Sequence, residues 1–282
     1  MRLRFILFSV VLIGMAAAVF IANSGGWYPA VARLWMASRH LNPIIHYSLG
    51  YTLPGTPDLG SLDARLAARN LKRGDAVFIR IFKSELKLEL WMKQGGTFLH
   101  FADYPICTWS GRLGPKLKEG DRQSPEGFYT VAKDQLNPNS RWHRSFNVGF
   151  PNLYDRFHGR TGSLLMVHGG CASIGCYAMT NGVISELWTL IGAAMDAGQE
   201  RFGVHVYPFR LTDQRLAAYG EHQWAAFWHD LKPGYDLFER DRVPPDIAVC
   251  NGSYVATPGR PDERTAPALQ EKCPSGPPNQ QS

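Results

Sequence analysis

The chain reads as an α+β protein, mainly β with flanking helices, its strands forming an antiparallel sandwich or partly closed barrel. Three observations predict this. From Asp75 the apolar period is two, most cleanly in Lys87-Leu88-Glu89-Leu90-Trp91-Met92-Lys93, the spacing of a strand with one buried face. Short strands succeed one another across turns such as Gly95-Gly96, the pattern of an antiparallel meander. A helical period appears later, where Ile184, Leu187, Trp188 and Ile191 share one face of a helix from Asn181 to Ala197. With 282 residues, 45% of them hydrophobic, the chain is long enough to bury a substantial core.

The elements follow in order. Met1-Arg2-Leu3-Arg4 places two positive charges ahead of the uncharged run from Phe5 to Ile21, the charged and apolar regions of a signal peptide. Ala22-Asn23-Ser24 supplies small residues for cleavage after Ser24. The other reading of residues 1–24 is an uncleaved membrane anchor, since the run sits at the lower edge of what spans a bilayer. Either reading exports the body to the periplasm, with the arginines left inside. Residues 25–74 are a helical and linker region: Trp27 to His46 as a membrane-proximal helix, Pro54-Gly55-Thr56-Pro57 as linker, and Ser61 to Leu71 as a short helix.

Residues 75–210 form the main domain. Its strands are expected at Ala76–Phe82, Lys87–Lys93, Thr97–Phe101, Gly127–Lys133, Leu164–His168 and Val204–Phe209, with His205 structural. Residues 211–256 form a C-terminal helical extension, led by an amphipathic helix from Asp213 to Leu231. Residues 257–282, dominated by Pro, Gly, Glu and Gln, read as a flexible tail.

The chemistry concentrates in Leu164-Leu165-Met166-Val167-His168-Gly169-Gly170-Cys171-Ala172-Ser173-Ile174-Gly175-Cys176. An apolar strand ends on a histidine and two glycines, and a tight turn then delivers a cysteine. A thiol needs a base to become an attacking thiolate, and imidazole serves near neutral pH. Cys176 is the expected nucleophile and His168 the base, forming a reactive ion pair. The amides of Gly175 and Cys176 are expected to hold an oxyanion. Ser173 either holds the turn or meets substrate, and Arg160 either offers a bidentate fork to a substrate carboxylate or is a solvated loop arginine. Competing readings are a zinc site of His168, Cys171 and Cys176, a Cys171–Cys176 disulfide, and a structural thiol. Five cysteines in an exported chain leave one unpaired. Cys250 with Cys273, and Cys107 with Cys171, are candidate pairs, and the connectivity stays open.

His168-Gly169 followed by Ser173-x-Gly175-Cys176 resembles the signature of the L,D-transpeptidase catalytic domain, the YkuD-like family that modifies bacterial peptidoglycan. The short insert and Ala178, where the family commonly has arginine, resemble its YafK-like branch of murein L,D-transpeptidases. Trp109-Ser110-Gly111-Arg112-Leu113-Gly114-Pro115-Lys116 and Glu119-Gly120-Asp121-Arg122-Gln123-Ser124-Pro125-Glu126-Gly127 resemble that branch's substrate loop. Asn137-Pro138-Asn139-Ser140, Gly149-Phe150-Pro151-Asn152 and Gly159-Arg160-Thr161-Gly162 continue the likeness. The resemblance implies an L,D-transpeptidase sandwich in which a backbone carbonyl at Gly169 or Gly170 orients the histidine. It implies a diaminopimelate-containing stem peptide as donor, with D-Ala expelled and a thioester formed on Cys176. A diaminopimelate amine, a lipoprotein lysine or water then takes the acyl group; run backwards, the same chemistry releases an attached lipoprotein.

No metal or cofactor is expected. The net charge of +6 suits an acidic polymer, and no nucleic-acid-binding motif accompanies it. A non-catalytic wall-binding module would tolerate loss of the thiol, and a thiol–disulfide protein would need a C-x-x-C spacing that is absent.

Overall fold

The computed structural model describes residues 42–273. The chain divides into Met1–Asn42 and Pro43–Ser282, and the sheets and helices named here belong to the second unit. The signal or anchor segment and most of the expected membrane-proximal helix lie outside the described residues, as do residues 274–282. Among the described residues no helix is long and apolar enough to cross a membrane.

Two five-stranded sheets and one long helix enclose the core. The short helix α1 (Leu62–Ala67) precedes the first strand and buries Leu62 and Leu66. The first sheet has β1 (Val77–Phe82) and β2 (Lys87–Gln94) at its centre, β3 (Thr97–Pro105) at one edge, then β10 (Arg201–Tyr207) and β5 (Gly127–Ala132), in the order β3-β2-β1-β10-β5. β2 shifts register against β3 between Leu90 and Trp91, and buries Leu88, Leu90 and Met92 in the main core and Glu89 and Trp91 on its other face. β1 reads as continuous apolar sequence because it is covered on both faces. Val77, Ile79 and Ile81 enter the main core. Phe78 on the other face meets Phe98 and, in α5 (Ala225–Asp241), Phe238. Arg80 is buried in mid-strand on Glu89 at 2.8 Å and Glu239 at 2.7 Å.

The second sheet has the order β4 (Thr108–Trp109), β9 (Tyr177–Ala178), β8 (Met166–His168), β7 (Ser145–Asn147), β6 (Leu136–Asn137). A one-turn helix, α2 (Leu153–Phe157), lies between β7 and β8 and is capped by Asn152. Helix α3 (Asn181–Asp196) lays Ile184, Leu187, Leu190 and Ile191 into the core between the sheets, while Trp188 stays half-buried under Arg144.

Three expectations are corrected. The sheets are mixed rather than antiparallel, since β1 pairs with β10 and β8 with β9 in parallel. The connection from β1 to β10 is long and includes the whole second sheet and α3, whereas β8 and β9 are joined by residues 169–176 alone. The sheets stay open and do not close into a barrel. The expected helix from Asp213 to Leu231 is two: α4 (Asp213–Ala218), capped by Thr212 and ended before Gly220, and α5, which runs on through Pro233 to Asp241. Pro233 removes one amide from the ladder, leaving the helix otherwise continuous.

The segment expected as a flexible tail is tied down as far as Cys273. Ala266 N–H donates to Arg201 O at 3.0 Å, and β13 (Gln270–Glu271) joins β11 (Asp246–Cys250) and β12 (Ser253–Thr257). Cys250 and Cys273 are bridged.

Candidate active site

The site grows from the parallel pairing of β8 and β9. His168 stands opposite Ala178 and Val167 opposite Tyr177. Side chains alternate along a strand, so Cys176, two residues before Ala178, projects from the same face as His168. The offset is two residues, about 7 Å along the strand. Met166 N–H donates to the Cys176 sulfur at 3.3 Å, and the thiol donates toward Leu164 O at 3.8 Å.

His168 is 3% exposed. Its Nδ1 lies 2.6 Å from Gly169 O. A carbonyl only accepts, so Nδ1 carries the proton and Nε2 is left as the basic nitrogen. The resemblance puts its orienting carbonyl at this position. Gly169 itself is pinned from behind by its N–H on Trp142 O at 3.1 Å and Arg144 O at 3.2 Å. A Cβ there would stand 2.7 Å from Trp142 O, so only glycine admits this approach.

Burial decides the charge state of the pair. It pushes the Cys176 thiol up, an effect opposed by the Met166 amide and the charge of Lys116. It pushes His168 down against the support of the Gly169 carbonyl. Both shifts favour the neutral forms over an ion pair. β9 also separates Cys176 from the start of α3, whose Asn181 side chain accepts from Gly170 N–H at 2.9 Å instead.

The turn between Cys171 and Cys176 is held by hydroxyls. Ser173 Oγ donates to Cys176 O at 2.8 Å and accepts from Gly175 N–H at 3.2 Å and from Ser110 Oγ at 2.7 Å. Ser173 is thus engaged in the turn and not turned to a substrate. Gly175 N–H, expected in the oxyanion hole, is occupied by Ser173 in this state. Its φ of +144° explains the glycine.

Arg160 departs furthest from expectation. Its guanidinium bonds Asp155 at 2.8 Å, lies over the rings of Tyr154 and Phe227, and is 7% exposed. No fork is offered to a substrate carboxylate.

Cys171 is bridged to Cys107, which removes it as a rival nucleophile, as a zinc ligand and as a partner for Cys176. Cys176 is the free cysteine. His143 and His158, the other histidines of the preceding loops, bond Ser185 and Gly252 O.

Residues 76–201 match the YkuD family, the L,D-transpeptidase catalytic domain. Over 196 residues the chain is 47% identical to the Escherichia coli protein named "Putative L,D-transpeptidase YafK", covering 70% of this chain and 80% of that one. The chain belongs to the L,D-transpeptidase family. Among solved structures it is similar to the helical cell shape determining protein Pgp2 of Campylobacter jejuni, with 20% identity over 62% of this chain and 66% of that one, TM-score 0.39. It is also similar to Bd1075 of Bdellovibrio bacteriovorus, with 19% identity over 58% and 62%, TM-score 0.34.

Within this L,D-transpeptidase frame, several residues beside the motif emerge only from the structure. Ser124 Oγ gives the Cys176 carbonyl a second hydroxyl at 3.0 Å. Lys116, 4% exposed, bonds Lys118 O and Asp121, and its charge reaches the thiol. Asp121 also accepts from the amides of Leu117, Lys118 and Gln123, which folds the loop around that lysine. Beneath it the buried Lys83 pairs with Glu126 at 2.9 Å and donates to Arg112 O, Gly114 O and Ser124 O. Ala178, in place of the family's usual arginine, is fully buried in β9. The loop is legible in the sequence as a glycine-rich block, but the roles within it come from register across the sheets.

Proposed function

We propose that this protein is a cysteine acyltransferase acting on diaminopimelate-containing stem peptides of peptidoglycan. What supports the reading is the free cysteine Cys176, in register one strand over from an imidazole whose Nδ1 proton is committed to Gly169 O, which leaves Nε2 as the basic nitrogen. Burial disfavours both charged forms, which favours proton transfer accompanying attack over transfer preceding it. His168 Nε2 takes the Cys176 proton as sulfur adds to the diaminopimelate carbonyl. Collapse of the tetrahedral species breaks the amide, His168 returns the proton to the leaving D-Ala amine, and a thioester remains. An acceptor amine or water then adds, loses its proton to His168 and expels the Cys176 sulfur.

With an amine acceptor from a second stem the product is a cross-link, and with a lipoprotein lysine it is an anchor. With water the enzyme is a hydrolase of the same bonds. The two disulfides fit an oxidising compartment, which with the leader-like residues 1–24 supports a periplasmic site, anchored or free.

The test is intact-mass analysis after incubation with disaccharide-tetrapeptide. A thioester adduct on Cys176 with release of D-Ala is expected, and the final product reports the acceptor. Turnover that survives Cys176→Ala would overturn the reading.

A further inference from the structure

Trp142 lies between β6 and β7, and its indole stacks on His168 with ring centroids 5.8 Å apart and planes 27° from parallel. The residue is 38% exposed, and its main chain is held at two points. Its N–H donates to Ser140 Oγ at 3.2 Å, and its carbonyl accepts from Gly169 N–H at 3.1 Å. Gly170 opens the space for the ring, since a Cβ there would stand 2.9 Å from a ring carbon. The Gly169 residue that Trp142 holds is the one whose carbonyl holds the imidazole. The indole and the orienting carbonyl are therefore one assembly.

That assembly answers a need of the site. A base that accepts the thiol proton becomes a cation, yet His168 is buried and its Nδ1 partner is a neutral carbonyl, not a carboxylate. Among the described residues, the ionisable groups on the surrounding elements give it no free anion. Arg141 lies over the Trp142 ring itself at 5.3 Å, His143 is bonded to Ser185, and Arg144 lies over Trp188. Cys176 is the proton donor, Lys116 is a cation, and Tyr177 Oη is bonded to Pro125 O. Glu186 on α3 is committed to Arg65 and Tyr104. An indole face within about 6 Å attracts a cation, most strongly where water is excluded.

We propose that Trp142 is a positioning residue for His168: its indole face stabilises the imidazolium formed during each proton transfer, while the Gly169 carbonyl holds Nδ1. The proposal rests on reading His168 as the base, and its main test needs no substrate, so the two fail separately. The imidazole of His168 is titrated by NMR in the Cys176→Ala background, with Trp142, Trp142→Phe and Trp142→Leu compared. Leucine keeps apolar cover without a π face. The expected order of midpoints is Trp above Phe above Leu, the leucine variant lying about half to one pH unit below the parent. In the active chain Trp142→Leu is expected to lower kcat about three- to tenfold with KM little changed, and Trp142→Phe to recover part of it. A leucine variant that titrates with or above the parent, or a loss confined to KM, would overturn the proposal and make Trp142 a cover or a substrate contact.

Discussion

Cys176 and His168 were legible because a parallel strand pair joined by a short turn keeps both partners within nine residues of sequence, where one motif spans them. Their charge state was not legible, because it depends on how deeply the sheets bury them. Burial raises the thiol, so its alkylation by iodoacetamide without substrate is expected to rise only above the range of an exposed cysteine, about 8.5. A profile displaced to the acid side would mean a resting ion pair after all. Cys176→Ala should abolish turnover and leave the melting temperature within a degree or two, since the thiol is a small partly buried group. Arg160 serves the fold rather than a substrate. Arg160→Leu leaves Asp155 buried without its partner, and is expected to cost about 3 kcal/mol of stability, read by urea denaturation. A stable variant with only a raised KM would restore the substrate role.

Among the elements, the helical face of α3 could be read from the chain because it buries one side, whereas the alternation of β2 suggests one open face although the strand is buried on both at its centre. The parallel union of β1 and β10 could not be read, since nothing in two apolar runs distinguishes a neighbour from a strand 125 positions away, Ile79 lying opposite Val204. The turn that carries the site is fastened by a bond between elements. The Cys107–Cys171 bridge closes 64 residues of separation and packs with Leu53 and Ile44. Replacing both cysteines by alanine is expected to cost about 2–4 kcal/mol, seen as a lower denaturation midpoint, while thioester formation on Cys176 persists at lower temperature. An unchanged midpoint would mean that the bridge constrains nothing beyond what the native packing already holds.

At the scale of the whole molecule, acid sensitivity should come from the core. His205 sits between Phe78 and Phe128, and burial, aided by the charge of Arg80, pushes it down to about 3. In the unfolded chain it titrates near 6.5. Between those values the unfolded state binds a proton that the native state refuses, so stability falls as pH falls from 6.5 toward 3, by up to about 1.4 kcal/mol per pH unit. His168 adds in the same direction. His205→Phe is expected to flatten that slope in urea titrations at several pH values; an equal slope would place the acid sensitivity elsewhere. The tail's anchoring was hidden from the sequence because Pro- and Gly-rich composition reports local stiffness and says nothing of a distant bridge such as Cys250–Cys273.

Glu126 touches three parts of the molecule at once: Lys83 of the segment after β1, the Gly114 amide of the loop, and Trp228 of α5 at 2.8 Å. A chain cut after residue 210 would strip the indole from this carboxylate and uncover Phe128, against which Gly234 packs closely enough to exclude a Cβ. The stretch that family resemblance marks out is thus a unit of ancestry but not a transplantable part. A fragment of residues 75–210 is expected to remain aggregated or molten, with near-ultraviolet circular dichroism lost. Grafts of this active site onto other proteins would have to carry the C-terminal helices along with the motif.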